Sequence, residues 1–386
     1  MKRKYDVAAF IWPAYTGDEP RTRIYWPEGM GEWESVRAST PKFAGHQWPR
    51  KPRWGYVNEA DPYVMEMQIN AAADHGVNVF VYDWYWFDNR PFLENCLNDG
   101  YLKARNNDRV KFYIMWANHN VDYTWDRRLS DQMSSELSGD DTESLIYTGG
   151  VDRKRFETVG ERLIRKYFGH PNYYRIDGKP VLMIFHLPEL IRGLGGLTAT
   201  RDALAWLKKR CEERDLGGLH LQMNVHGVCT RIRDEQGRIV PIDELIDFLG
   251  FDSSTNYQMI DLVEDANKTY EALIDEAELA WKRHSAESSI PYFPQVSVGW
   301  DNNPRFREMK TPIVTGSSPE AFREALVRAK KYLDARPDQT PLLTINSWNE
   351  WTEGSYLQPD DLHGYAWLEA VRDVFGDCND SRSENR

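Results

Sequence analysis

Eight short runs of β-forming apolar residues, separated by stretches of helical periodicity, constrain this chain more than any other feature of its sequence. The runs are VAAFIW at 7–12, VNVFVYDW at 77–84, VKFYIMW at 110–116 and PVLMIF at 180–185, then LHLQMNV at 219–225, FLGFD at 248–252, PQVSVGW at 294–300 and PLLTINSW at 341–348. Amphipathic segments lie between them at 61–76, 155–169, 201–214, 269–284 and 319–335. Strands that alternate with helices form parallel sheets, because each parallel pair needs a crossover connection. The segment at 61–76 carries helix punctuation, with Asp61 as N-cap, Pro62 in the first turn and Gly76 past the end. Eight such units closing on themselves predict an α/β fold, a (β/α)8 TIM barrel. An open doubly wound sheet is the alternative, but no glycine-rich phosphate loop follows the first strand.

At 386 residues the chain fits one barrel with large loops. Residues 1–375 are expected to form a single catalytic domain and 376–386 a frayed polar tail. Residues 13–60 and 120–153 break the regular repeat, and long connections after barrel strands fall on the C-terminal face, where active sites are built. The net charge of −12 argues against nucleic acid or an anionic membrane as partner. No apolar run approaches the roughly 20 residues that span a bilayer. The opening MKRKYDVAAFIWPAY reads as the first strand rather than a signal peptide, so a cytoplasmic location is expected. Cys96, Cys211, Cys229 and Cys378 are scattered without CxxC spacing, which suggests neither a zinc knuckle nor a disulfide framework. Fifteen Trp, 20 Tyr and 15 Phe suit a cleft that packs flat rings on the apolar faces of sugars. A Trp-rich core accounts for the same count.

The strand ends are more informative. The first strand ends in Trp12 and Tyr15, the second in Asp83, Trp84, Tyr85 and Trp86, the third in Trp116, Asn118 and His119, and the fourth in His186. The fifth gives Asn224 and His226, the sixth Asp252, Asn256 and Tyr257, the seventh Trp300, Asp301 and Asn302, and the eighth Asn349, Glu350 and Glu353. Nearly every strand thus delivers an aromatic, amide, acid or imidazole to one face, the pattern of a polar binding site. In WNEWTEG at 348–354, Glu350 and Glu353 share one cleft if the loop makes a helical turn, where side chains three apart are neighbours. Glycosidic cleavage needs such a carboxyl pair. Trp348 and Trp351 would raise one pKa by desolvation. A charged surface turn is the plainer reading, and Asp301 reads equally as a cap. Asp83, His119, His186 and His226 offer a competing metal site, although no HxH or HExxH spacing supports it.

INSWNEWTEGSYLQPD at 345–360 resembles the eighth-strand motif of glycoside hydrolase family 99 and of WbsX-type proteins, which are often labelled glycosyltransferases of polysaccharide biosynthesis. HPNYYRIDGKPVLMIF at 170–185, VSVGWDNNPRF at 296–306, VFVYDWYWFDNRPFLE at 79–94 and HGYAWLEAVRDVF at 363–375 are similar in the same order. The resemblance implies a barrel that needs no metal or organic cofactor and takes an oligo- or polysaccharide. It implies that Glu350 deprotonates the sugar 2-hydroxyl to form a 1,2-anhydro sugar, and that Glu353 is the general acid and then the base, with net retention. The sequence departs from the pattern at Asp83, where an aromatic is usual, and at His119. A transferase needs a sugar-nucleotide site, and a non-catalytic sugar-binding barrel would lack one of the acids.

Overall fold

A computed structural model describes residues 4–131, 145–226 and 232–376 of the chain. The apolar runs become strands because their side chains are covered on both faces, the environment of a parallel sheet. The barrel strands are β1 (Asp6–Ile11), β2 (Val79–Phe87), β3 (Lys111–Trp116), β4 (Lys179–Ile184), β5 (His220–Asn224), β6 (Ser253–Thr255), β7 (Gln295–Ser297) and β8 (Leu342–Asn346). All nine residues of β2 are buried. The strands pair in parallel in the order β6-β5-β4-β3-β2-β1-β8-β7, a nearly closed (β/α)8 barrel. The seam between β6 and β7 has no ladder. One bridge, Ser254 to Tyr292, closes it, with the Asn256 amide donating to Gln295 Oε1 at 3.1 Å.

Helices cover the barrel at Pro62–Asp74, Arg153–Leu163, Leu197–Glu213, Tyr270–Glu287 and Pro319–Asp334, close to the expected segments. Asp61 caps the first by accepting from the Tyr63 amide at 2.8 Å, and Pro62 occupies its first turn. The sixth strand is displaced from its expected place. Residues 248–249 end an amphipathic helix, Ile242–Leu249, which stops at left-handed Gly250, and β6 begins only at Ser253. The apolar pair Phe248–Leu249 belongs to a helix period; the real strand, SST, is polar because it faces the barrel interior. That interior is a paired polar layer: Tyr113 donates to Gln222 Oε1 at 3.0 Å, and the hydroxyls of Thr255 and Thr344 lie 3.0 Å apart. Satisfied groups of this kind avoid the cost of buried orphans. Cys96 and Cys211 are buried free thiols; Cys229, Cys378 and the expected tail at 377–386 lie outside the described residues. No helix among them is long and apolar enough to cross a membrane.

Candidate active site

The strand-eight motif folds as its sequence asks. Ser347 follows β8, and its hydroxyl accepts from the Asn349 and Glu350 amides at 3.1 and 2.7 Å while donating to Ser355 O at 2.7 Å. Trp351–Glu353 then make a single 3-10 turn, which brings Glu353 round to the side of Glu350. Gly354 ends the turn at φ 64°, and a β-carbon there would lie 3.1 Å from that of Asp301, so both strain and space ask for glycine. The chain reverses, and Asn349–Glu350 pair with Ser355–Tyr356. Trp348 and Trp351 are fully buried behind this turn rather than in the cleft. The Trp348 indole donates to Gln68, and the Trp351 ring stacks on Tyr356 at 3.8 Å.

One guanidinium organises the acids. Arg305, on the 3-10 turn Asn303–Arg305 after β7, donates to Glu353 Oε1 at 2.7 Å, to Glu32 Oε1 at 3.1 Å and to Glu350 Oε2 at 3.4 Å. Glu32 also accepts from the Trp12 indole at 2.5 Å and from Thr352 Oγ at 3.0 Å. The Gln258 amide donates to Glu353 Oε2 at 3.0 Å. The Tyr257 hydroxyl lies 2.9 Å from Glu350 Oε1 and 3.1 Å from Asp83 Oδ2. Three carboxyls therefore share one cation, with Asp83 joined to them through Tyr257. The Glu350 carboxyl is pushed well above the ordinary range by burial and then by the charge of Glu353, which outweigh the pull of Arg305. Asp83 is pushed well up by burial, with Glu353 adding to the effect and Tyr257 opposing it. Burial and the same carboxyls keep Tyr257 a neutral phenol, and burial lowers the His119 imidazole.

These groups line a cleft of about 230 Å³ at the C-terminal end of the barrel, with Trp12, Tyr85, Trp125 and Phe185 as its aromatic walls and Met115, Ala117 and His119 completing it. Seven residues singled out from sequence meet there: Trp12, Asp83, Tyr85, His119, Tyr257, Glu350 and Glu353. The others do not line it. Trp84 donates to Glu94 and packs on Trp86 and Trp116, on the helix side of the sheet. Asn118 exchanges two hydrogen bonds with the backbone of His186, which in turn caps the helix Leu187–Leu194. The Asn224 amide donates to Phe185 O, and His226 stacks on the Phe185 ring. Tyr15 packs on Trp33 and accepts from the Trp351 amide. Asn349 clamps the Trp12 backbone and donates to the buried Glu59.

Asp252 is the clearest correction. It sits at the opening of β6, paired with Lys208 at 2.7 Å and accepting from the Leu221 amide, because the strand starts one residue after it instead of ending there. Trp300 and Asp301 line a second cleft behind Gly354, of about 170 Å³, with Trp48 and Arg50. There Asp301 accepts from His46 at 2.6 Å and caps the Asn303 turn. Among the described residues no three His, Cys, Asp or Glu side chains gather as metal ligands, and His119, His186 and His226 pack on aromatic rings. Sequence reading missed Arg305, Glu32, Trp125 and Phe185. A cluster of buried acids requires a buried cation, and that requirement was the available signal for Arg305 in WDNNPRF.

Residues 7–371 match the family model described as Glycosyltransferase WbsX. The chain belongs to the WbsX family. Curated relatives include the uncharacterized protein WxcX from two strains of Xanthomonas campestris pv. campestris, each 29% identical over 385 residues. The alignment covers 98% of this WbsX-family chain and 50% of each relative, so the chain spans about half their length. Similar solved structures include a glycoside hydrolase-like protein, with TM-score 0.59 at 15% identity over 97% of this chain and 94% of that one. The GH99 endo-alpha-mannosidase from Bacteroides thetaiotaomicron follows with TM-score 0.55 at 13% identity, covering 96% of both chains. At such identities the likeness is one of fold, the glycoside-hydrolase type of TIM barrel.

Proposed function

We propose that this WbsX-family chain is a glycoside hydrolase in which Glu350 acts as base and Glu353 as general acid and base. The observation that carries the reading is that both carboxyls enter one aromatic-walled cleft, tied to opposite ends of the Arg305 guanidinium. In the first step Glu350 takes the proton of the sugar 2-hydroxyl, O2 forms a bond to C1, and the C1–O bond to the leaving group breaks as Glu353 protonates that oxygen. In the second, Glu353 takes a proton from water, which opens the 1,2-anhydro ring at C1. O2 recovers its proton from Glu350, and configuration is retained after two inversions. The route needs O1 and O2 on opposite faces of the ring, as in α-mannosides, the class named for the neighbouring endo-alpha-mannosidase. We therefore assign an α-mannoside-like linkage in an oligo- or polysaccharide. Tyr85, Trp12 and Trp125 would pack on the sugar faces, and His119, uncharged, would serve as a hydrogen-bonding partner.

The test is hydrolysis of an α-mannosyl oligosaccharide by Glu350→Gln and Glu353→Gln. Each is expected to lose about 10²–10⁴-fold in turnover with its unfolding transition intact. Near wild-type turnover in both would refute the reading. The family description favours a second reading, transfer of the sugar to a hydroxyl acceptor. Against a nucleotide-sugar donor stands the cleft itself: its guanidinium is committed to three carboxylates and would meet a diphosphate with four acids around it. Product analysis with and without an added sugar acceptor separates the two.

A further inference from the structure

A hydroxyl with two acidic neighbours poses a counting problem. Tyr257 Oη lies 3.1 Å from Asp83 Oδ2 and 2.9 Å from Glu350 Oε1, and a phenol carries one proton. With both acids ionised, one of these contacts would set lone pair against lone pair in a buried site. A second proton must therefore sit on one of the carboxyls. Burial raises both acids, but Arg305 Nη2 lies 3.4 Å from Glu350 Oε2, so of the two Glu350 is the one whose negative charge has a cation beside it. No cation among the described residues pairs with Asp83; it is 4% exposed, and its Oδ1 is buried without a hydrogen-bond partner.

We infer that Asp83 is a neutral carboxylic acid at rest, donating to Tyr257 so that the Tyr257 hydroxyl donates to Glu350 and holds it as the base. This rests on the assignment of Glu350 as base. Asp83 acts through Tyr257 and is a positioning residue. Its surroundings agree on every side. Tyr257 faces it from the loop after β6, and Glu350 and Glu353 from the turn after β8; Tyr85 shares its own strand. His119 from the loop after β3 lines the same cleft, and so does Arg305, bound to Glu32 from the long connection after β1. Three further carboxyls against one guanidinium make a fourth negative charge the least favourable state.

The direct experiment needs no substrate. With carbon-13 in the aspartate carboxyls, the wild type is expected to show one resonance, absent from Asp83→Asn, that keeps the shift of a protonated acid through neutral pH. If that resonance has the ionised shift at neutral pH, the inference is overturned. Turnover of the α-mannosyl probe gives the functional readout. Activity is expected to fall at alkaline pH both as the general acid loses its proton and as Asp83 ionises, and Asp83→Asn, whose amide still donates to Tyr257, is expected to move that alkaline limb to higher pH. Asp83→Leu offers no donor and is expected to fall about tenfold below Asp83→Asn, the worth of about one hydrogen bond. An unmoved alkaline limb in Asp83→Asn contradicts the positioning role. Unaffected turnover in Glu350→Gln instead removes the assignment of Glu350 while leaving the resonance measurement standing.

Discussion

Glu59 lies one layer behind the cleft, and its burial has a measurable consequence. Its carboxyl is 1% exposed and accepts from the amides of Gln68 at 3.0 Å, Gln358 at 2.7 Å and Asn349 at 2.8 Å, with no cation in reach among the described residues. Burial raises its pKa from 4.5 to about 7 against the pull of those three amides. The folded protein therefore binds more protons than the unfolded chain between those values, and stability falls as pH rises through that window. The full effect is about 3 kcal/mol, most of which falls between roughly pH 5 and roughly pH 8. Glu59→Gln removes the titration but sets an amide against the Asn349 amide. Asn349 cannot flip, because its oxygen accepts from Trp12 N and its nitrogen donates to Trp12 O. That mismatch costs about 1–3 kcal/mol. Urea unfolding of both proteins is expected to show the variant less stable near pH 5, with the gap closing by about 2–3 kcal/mol towards pH 8. The slopes due to Asp83 and Glu350 cancel in the difference. A gap that stays constant with pH would refute the assignment of a raised pKa to Glu59.

Two further outcomes follow from the charge arrangement. Arg305→Met leaves Glu32, Glu350 and Glu353 buried without their cation, so unfolding free energy is expected to drop by about 3–5 kcal/mol. The drop should grow with pH as Glu350, raised by its burial, ionises without its cation, and denaturant titration at two pH values checks it. Asp252→Asn touches a pair that is 28% exposed on both sides and remote from the cleft. It is expected to cost under about 1 kcal/mol and to leave turnover of the α-mannosyl probe unchanged.

Strand and helix periods made the barrel legible, because strands buried on both faces and caps such as Asp61–Pro62 are local signals. The sixth strand was not legible, because SST is polar against a polar interior and the apolar run before it belongs to a helix end. The cleft was half legible for the same reason. Strand-end positions pointed to Asp83, Tyr257, Glu350 and Glu353, which line one cleft because strand direction aims them at the mouth. Position near a strand end does not say which face a side chain takes. Trp84 and Trp116 alternate to the outside, while Tyr85 turns inward. Arg305 and Glu32 come from irregular connections, where no period announces them, and only the electrostatic demand of the acids does.

The β6–β7 seam gives the barrel a direction in which it yields most easily. One backbone bridge and a few side-chain hydrogen bonds, Asn256 with Gln295 and Tyr292 and Gln258 with Ser297, hold two strands of three residues each, while every other neighbour has a ladder. Tyr257 and Gln258 ride on the loop beyond β6, Arg305 on the loop beyond β7, and they meet across the seam through Glu350 and Glu353. These hydrogen bonds work as a clasp: side chains of the cleft tie together the two edges that the backbone leaves apart.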